Sequence, residues 1–586
     1  MRSKCPRLVA AIYVHDRRLL PARGCSTLSD GNDWVPLGGE KGNVALQPEN
    51  TVPPRNVHNQ QKERDRKLAE GQEQAVEAAQ VDFSGRDRMV RNIVTSWGAH
   101  FVFIVSGFVL PRVIDRSLGQ EILGIWDFSW SLTSYLSLTQ LGIGSSVNRH
   151  VAMYRATKDH ARLNGAVSSV AWIQVTAALV AFAVTVVVTL LLPSWFSARL
   201  GHLTAEAQRV VFLLGLSVVV QIGCDSFAGV MTGCHRWDIH NGLNAGFYGL
   251  TVIAMLLALL GGSGLPTLAF ITLVTRMMAE GTRIIVSHYV CPELRVRWQY
   301  VNRSQMREML SFGGKNVIGE ISMLFLYQTT SLLIVSYLGA GALALYARPR
   351  ALVHHCSVFV DKFASVLTPT VGSLHAGGKE EELRVFFLRA TEAGMYLALP
   401  LVLLLAVWGG ILLQLWMGTQ YANGQLLAVL AIGYLVSMNL SAIWTILRGI
   451  GKHGQVAMVR LGSSIIGAGL TFVVLGYFGQ GLVVVALASI IPTSLVDGLY
   501  APLYACRQLG VPFRNYAWRT WGRPLLYVAP FAGCLFAIRI FGIEPQPVPV
   551  LMSCCVGGAV LGFTYWRWIL PDGVRDTVRA RVASFL

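Results

Sequence analysis

Charged side chains are scarce in this sequence. Only 14% of its 586 residues are Asp, Glu, Lys or Arg, and 53% are apolar, whereas soluble globular proteins carry roughly 25% charged residues. Negatively charged residues are the less common of the two, with 32 Asp and Glu against 49 Lys and Arg. The composition excludes an ordinary soluble protein and predicts an integral membrane protein.

Motifs of catalysis and metal binding are absent as well. The ten cysteines form no C-x-x-C pair, and most lie in or beside apolar stretches, where thiols behave as small hydrophobes. We therefore expect the protein to have no metal site, cofactor or catalytic residue and not to be an enzyme. The basic residues occur in short clusters between apolar stretches, so we expect no nucleic-acid partner. The short apolar run 8–14 has no small-residue cleavage site, and we expect no cleaved signal peptide.

Residues 1–88 differ from the rest of the chain. They are polar, and their charged run has no apolar face long enough to pack. We expect a disordered cytoplasmic extension. Two alternatives stay open: Met89 is the true start of the protein, or the extension has a regulatory role.

Long apolar stretches dominate the chain after Met89. Each is long enough for a membrane-spanning helix of about 20 residues. The fourteen stretches are 92–113, 119–147, 166–192, 210–233, 240–261, 265–288, 316–337, 342–373, 391–416, 425–447, 461–478, 482–504, 524–542 and 548–568. Basic residues concentrate in every second connection. We therefore expect those connections and both termini to be cytoplasmic, in a protein of the inner (cytoplasmic) membrane.

An internal repeat appears at an offset of 220 residues. The segment 118–132 aligns without gaps on 338–352, with Leu118 and Gly119 opposite Leu338 and Gly339. The predicted fold is therefore all-α, with two six-helix halves (89–300 and 301–510) and two extra C-terminal helices (511–586). Halves that each cross six times have the same orientation, so the repeat is parallel, about a pseudo-two-fold axis along the membrane normal.

The order of features resembles a known family. The features are the turn at 118–119, the LGIW segment, the run QLGIGSSVNRHVAMYRA into a basic loop, Gly229 and Gly233 before Arg236, and the second copy YLGAGALALYARP. Over residues 89–510 the chain resembles the oligosaccharide and polysaccharide flippases of the multidrug/oligosaccharidyl-lipid/polysaccharide exporter superfamily.

This resemblance implies a function. Such proteins move polyprenyl-diphosphate-linked oligosaccharides, the repeat units of O-antigen, capsule or exopolysaccharide, from the inner to the outer leaflet by alternating access. The implied partners are the lipid-linked oligosaccharide, membrane lipids, a polysaccharide polymerase and glycosyltransferases, and the coupling ion would be H⁺ or Na⁺. A peptidoglycan-precursor flippase, a multidrug/cation antiporter of the same fold and a membrane polysaccharide polymerase are the alternatives.

Predicted span 8 carries the strongest candidates for substrate binding. Arg348, His355 and Lys362 are seven residues apart, and at 100° per residue they form one stripe about 21 Å long. Ionisable side chains at membrane depth are costly, so this stripe either lines an anion-binding cavity or pairs with acidic neighbours. Arg350 lies on another face that it shares with Asp361, which makes an Arg350–Asp361 pair the alternative to binding.

Polar residues on spans 7 and 2 suggest further cavity positions. Asn316 and Glu320 belong to a polar face of span 7 that must look inward. Glu320 either accepts a coupling cation or pairs with Lys362 or Arg348. Asp127 on span 2 would give the first half an acidic site for coupling, opposite the basic second half.

Three other ionisable residues lie in predicted spans. Arg276 and Glu280 are four residues apart on span 6 and are expected to pair, with substrate contact by Arg276 as the alternative. Asp225 in span 4 and Asp497 in span 12 are interpreted as isolated acids at matching places of the two halves, with either coupling or structural roles.

Overall fold

The fold is described from a computed structural model. It covers residues 84–140, 144–479, 481–541, 547–570 and 572–583. The predicted extension therefore lies outside the described residues except for its last five. Residues 85–564 form one compact unit, and the described residues from Tyr565 onward belong, with Ser84, to another.

Seven α-helices lie in the described part of the first half of the larger unit. They are α1 (Ser84–Leu118), α2 (Gln120–Thr133), α3 (Gly144–Ala156), α4 (His160–Leu200), α5 (Thr204–Gly233), α6 (Trp237–Leu260) and α7 (Leu265–Val290).

The second half has the same succession with more interruptions. Its helices are α8 (Arg303–Leu324), α9 (Thr330–Leu338), α10 (Ala340–Val366), α11 (Thr368–Ala376), α12 (Glu380–Met417), α13 (Gly424–Gly449), α14 (Gly454–Val473), α15 (Leu482–Leu495) and α16 (Ala501–Leu509). A π-helical turn, Phe325–Thr329, joins α8 to α9.

Shorter helices follow the two halves. They are α17 (Phe513–Ala517), α18 (Arg523–Ile540), α19 (Val548–Met552), α20 (Gly558–Thr564) and α21 (Asp572–Ala583). Within the second unit, Arg575 forms an ion pair with Asp572 at 2.6 Å, and the guanidinium of Arg579 lies 5.8 Å from the ring centre of Trp566.

The predicted all-α membrane fold is confirmed. Among the described residues, ten helical segments are long and apolar enough to cross a membrane, and one of them, 160–233, contains both α4 and α5. α10 is not among the ten, because it carries Arg348, Arg350, Asp361 and Lys362 along its length. The number fourteen stays a prediction.

Two equivalent glycines mark the repeat in the backbone. Gly119 and Gly339 have φ of 95° and 88°, and each ends one helix and begins the next. Glycine reaches this region of φ at little cost because it has no Cβ. The 220-residue repeat predicted from sequence therefore has the same local geometry at both places. We call the side of the molecule where these two glycines lie the Gly119 end.

Helix packing recurs at the same offset. α4 packs on α5 as α12 packs on α13, α5 packs on α7 as α13 packs on α15, and α2 packs on α5 as α10 packs on α13. α2 and α10 also pack on each other across the halves. At that crossing a Cβ on Gly124 would overlap the carbonyl of Ala340, so the close approach of α2 and α10 depends on this glycine.

A large apolar cluster forms the core of the second half beside the C-terminal helices. It joins α11, α12, α13, α16 and α17 around Phe387 and Tyr516, both fully buried, whose rings stack at 5.6 Å. This core fixes the helices that flank α10, the helix on which four of the ten candidate site residues lie.

Candidate functional site

An ion pair joins the two halves near the Gly119 end. Arg348 on α10 donates to both carboxylate oxygens of Asp127 on α2, at 2.5 Å to Oδ1. Only 4% of the surface of Arg348 is exposed. Asp127 was predicted as an acidic coupling residue and Arg348 as a substrate-binding cation. The structure brings the two together, so the acidic and basic halves are not electrostatically separate here.

Other polar contacts cross between the halves at the same end. The hydroxyl of Tyr421 donates to Asp115 on α1 at 2.6 Å, and the amide of Gln120 donates to the carbonyl of Gly341 at 2.9 Å. The indole of Trp416 donates to the carbonyl of Phe108 at 2.7 Å. We refer to the first two contacts and the Arg348–Asp127 pair as the cross-half contacts. They tie α1 and α2 to α10 and to the end of α12.

A cavity of about 730 Å³ lies beside these contacts. It is lined by the two equivalent turns, 118–122 and 338–342, and by residues between Arg199 and Leu203 at the junction of α4 and α5. The cavity therefore lies at the Gly119 end, where the repeats meet.

Arg350 and Asp361 do not form the predicted alternative pair. Arg350 donates to the carbonyl of Tyr327 at 2.8 Å and to the hydroxyl of Ser331 at 3.0 Å. Asp361 accepts a hydrogen bond from Ser441 on α13. The predicted pairing failed because Arg350 reaches the π-helical turn before α9, where the interrupted helix exposes backbone carbonyls.

The first half contains a buried ion-pair cluster on α7. Arg276 and Glu280 approach within 3.8 Å, as predicted, but the closer partner of Glu280 is Arg283 at 2.6 Å. Arg283 also donates to Asn244 on α6 at 2.7 Å. Asp225 on α5 lies within range of charge interaction with Arg283. These contacts lie within one half and hold α5, α6 and α7 together.

The second half has a corresponding cluster, and the interpretation of Asp497 as an isolated acid is wrong. Its carboxylate lies 3.1 Å from Arg460 on α14 and accepts from Ser437 at 2.5 Å. Asp225 and Asp497 do not occupy matching places either. Asp225 lies on α5, whose equivalent is α13, whereas Asp497 follows α15, whose equivalent is α7. The contacts of Asp497 with Arg460 and Ser437 join helices that are far apart in sequence, so helical spacing did not predict them.

Four cationic or titratable side chains lie between α1 and α10. The charges of His100 on α1 and Lys362 on α10 are within range of each other, and His100 also interacts with His354 and His355. The rings of His354 and His355 lie 6.4 Å apart, and His355 stacks on Phe108 at 5.3 Å. Lys362 and His354 are exposed. We call these four residues the histidine–lysine cluster.

Two of the four were missed from sequence. His354 directly precedes His355, and His100 interrupts the apolar stretch of span 1, which is the available signal for each. Their importance depends on α1 lying along α10, and the aromatic contact of Trp97 with Phe359 at 6.2 Å supports that placement.

The predicted roles of two further residues, Asn316 and Glu320, are not tested by the structure. The side chains of Asn316 and Glu320 on α8 lie outside the described residues, so the roles predicted for them stay predictions. In the described part of the chain, no group of three or more His, Cys, Asp or Glu side chains is arranged to hold a metal ion.

Comparison with known sequences finds similarity to one protein family and to two bacterial proteins. Residues 245–426 match the family described as polysaccharide biosynthesis protein. The chain is 22% identical to the uncharacterised membrane protein EpsK of Bacillus subtilis (strain 168), over 70% of this chain and 82% of EpsK. It is 18% identical to a Shigella flexneri protein that bears the provisional name O-antigen transporter, over 61% of this chain and 86% of that protein.

Solved structures share the fold. An inward-facing multidrug resistance MATE family transporter of the MOP superfamily superposes with a TM-score of 0.59 at 17% identity, covering 69% of this chain and 94% of that one. The lipid II flippase MurJ, in an inward closed conformation, gives a TM-score of 0.60 at 13% identity, covering 80% and 98%. The resemblance predicted from the sequence is confirmed, and the chain shares the fold of these transporters.

Proposed function

From its likeness to polysaccharide transporters of the MOP superfamily, we propose that this protein moves a polyprenyl-diphosphate-linked oligosaccharide from the inner to the outer leaflet of the cytoplasmic membrane. The cargo is a repeat unit of O-antigen, capsule or exopolysaccharide. The match to a polysaccharide biosynthesis family and the name of the Shigella flexneri relative support this cargo class. In this proposal the protein is a transporter and not an enzyme, its termini are cytoplasmic, and it works beside glycosyltransferases and a polymerase.

The histidine–lysine cluster is the observation that carries the proposal. A cation at membrane depth is costly unless it faces a partner or water, and this cluster gathers such groups between a helix of each half. Lys362 and His354 are exposed, whereas Arg348 is buried against Asp127. We therefore assign binding of the diphosphate to the cluster, with the lipid tail remaining in the bilayer.

The cross-half contacts are the part of the structure that would change during transport. They hold the halves together at the Gly119 end, which is the predicted outer side. Release of a glycan there requires the halves to separate, so these contacts break during the cycle. Coupling to H⁺ or Na⁺ is part of the same proposal. Asp127 is the suitable carboxylate, because a bound proton or cation would weaken its hold on Arg348.

The test is Lys362→Gln in a strain that lacks the protein. Exported polysaccharide is measured and divided by the amount of protein in the membrane. Loss of one charge-assisted contact to phosphate lowers export per molecule roughly tenfold or more. The matched control is Lys452→Gln, because Lys452 is exposed in the turn between α13 and α14, and it leaves export unchanged.

Two outcomes would overturn parts of this proposal. Equal export per molecule for Lys362→Gln and Lys452→Gln would remove the cluster from substrate binding. Rescue of a strain lacking its peptidoglycan-precursor flippase, without restored export of polysaccharide, would replace the proposed cargo.

A further inference from the structure

The two tryptophans of α4 locate the membrane surface on this helix. They lie in the stretch 163–198, which carries no ionisable residue, and their separation of about 35 Å at 1.5 Å per residue is close to the ~30 Å hydrocarbon core of a bilayer. Trp172 is 41% exposed and Trp195 is 58% exposed. Indole side chains favour the headgroup level of a membrane, so Trp172 marks that level. The first residues of α4 extend about 18 Å beyond it.

The loop between α7 and α8 is fastened to this protruding part of α4. Asn164 accepts from the backbone of Arg295 at 2.7 Å, and Ser168 accepts from the backbone of Arg297 at 3.2 Å. Ser169 accepts from the backbone of Asn302 at 2.9 Å. These hydrogen bonds fix the loop backbone against α4.

An exposed tryptophan of the loop meets Trp172. The ring of Trp298 lies 4.3 Å from that of Trp172 at an interplanar angle of 77°, and Trp298 is 65% exposed. A loop residue is thereby placed at the same headgroup level as Trp172. An edge-to-face pair of indoles with open outer faces provides an apolar surface for the glycerol region of a lipid.

The loop that carries Trp298 and the start of α8 are rich in arginine. Arg295, Arg297, Arg303 and Arg307 are exposed, and none forms an ion pair with an acidic residue in the described part of the chain. The surface around Trp298 therefore has uncompensated positive charge.

The acidic residues near this surface have other partners. Asp159 pairs with Arg162 at 3.3 Å, and Glu308 contacts His150 at 3.4 Å. Glu293 accepts from the Cys291 thiol, and hydrogen bonds from its own backbone amide and from this thiol hold the pKa of Glu293 below its ordinary value. The charge of Glu293 interacts with Arg155 and His160.

We infer that this surface, formed by Trp172, Trp298, Arg297 and Arg303, binds the headgroup of an anionic phospholipid. Planar guanidinium groups suit phosphate oxygens, and the depth of Trp172 selects a lipid over a soluble anion. Bilayer charge contributes attraction for each basic residue at the surface. The site is independent of the proposed cargo, because none of its residues belongs to the histidine–lysine cluster.

The test measures bound lipid by native mass spectrometry of the full-length protein, released from micelles that contain equal amounts of phosphatidylglycerol and phosphatidylcholine. The wild-type protein retains phosphatidylglycerol in preference. The double variant Arg297→Gln and Arg303→Gln binds it roughly 30-fold more weakly, as the loss of two surface charges predicts. The matched control is Arg116→Gln with Arg199→Gln, two exposed arginines at the Gly119 end, and it retains the lipid.

Three results would overturn the inference. They are equal retention of phosphatidylglycerol by wild type and the double variant, equal retention of both lipids by the wild type, and displacement of the lipid by soluble glycerol 3-phosphate. Should the double variant not accumulate, Trp298→Ala decides alone: unchanged lipid retention in that variant contradicts the site. Trp195→Ala is its control, since Trp195 is 58% exposed near the other end of α4.

Discussion

The role assigned to Arg348 changes once its partner in the structure is known. From sequence, Arg348 was one member of a cationic stripe, and its spacing to His355 and Lys362 is real on α10. The structure adds Asp127 as its partner across the halves. Helical periodicity identifies which residues share a face of one helix, but it carries no information about the helix opposite. The pairing of Arg348 was therefore beyond what spacing could predict.

The Arg348–Asp127 pair predicts a stability effect of single substitution. Arg348→Ala leaves the Asp127 carboxylate without its cation in a largely buried position, which costs about 3–5 kcal/mol. The double variant Asp127→Ala with Arg348→Ala removes both charges and recovers most of the loss. Thermal unfolding of the purified protein and its abundance in the membrane measure both effects. Unchanged stability of Arg348→Ala would show that the pair does not hold the halves together.

At the scale of elements, the crossing of α2 and α10 organises the contact between the halves. The two helices begin at the equivalent glycines 119 and 339, so the repeat seen in sequence correctly indicated that they correspond. It did not indicate that they touch. Contact depends on Gly124, where the absence of a side chain lets the backbone of α2 approach Ala340.

The crossing predicts a difference between two glycine substitutions. Gly124→Val forces α2 and α10 apart and destabilises the protein by about 1–3 kcal/mol, the usual cost of overpacking. Gly246→Val on α6 is the control, because no heavy atom lies within 4 Å of a Cβ at that position. The change in helix propensity from glycine to valine is then the same, but no steric clash occurs. Equal thermal stability of the two variants would contradict the proposed role of Gly124.

At the scale of the whole molecule, composition and long apolar stretches were sufficient to predict the all-helical membrane fold, and the order of short motifs indicated the resemblance to flippases. The candidate site was predicted less completely. Arg276 does approach Glu280, because an i, i+4 spacing is local to one helix. Asp497 contacts Arg460, and His100 comes within range of the charge of Lys362, only after distant helices pack. Such interactions depend on interhelical geometry that one sequence does not display.

The central claim is transport of a lipid-linked oligosaccharide, and reconstitution tests it most directly. The purified full-length protein is inserted into liposomes that contain a polyprenyl-diphosphate-linked oligosaccharide, and the glycan that becomes accessible to a lectin added outside is followed over time. The account predicts an increase that depends on the protein and is strongly reduced by Lys362→Gln but not by Lys452→Gln. Glycan exposure at the rate of protein-free liposomes, with the protein folded and inserted, would contradict it.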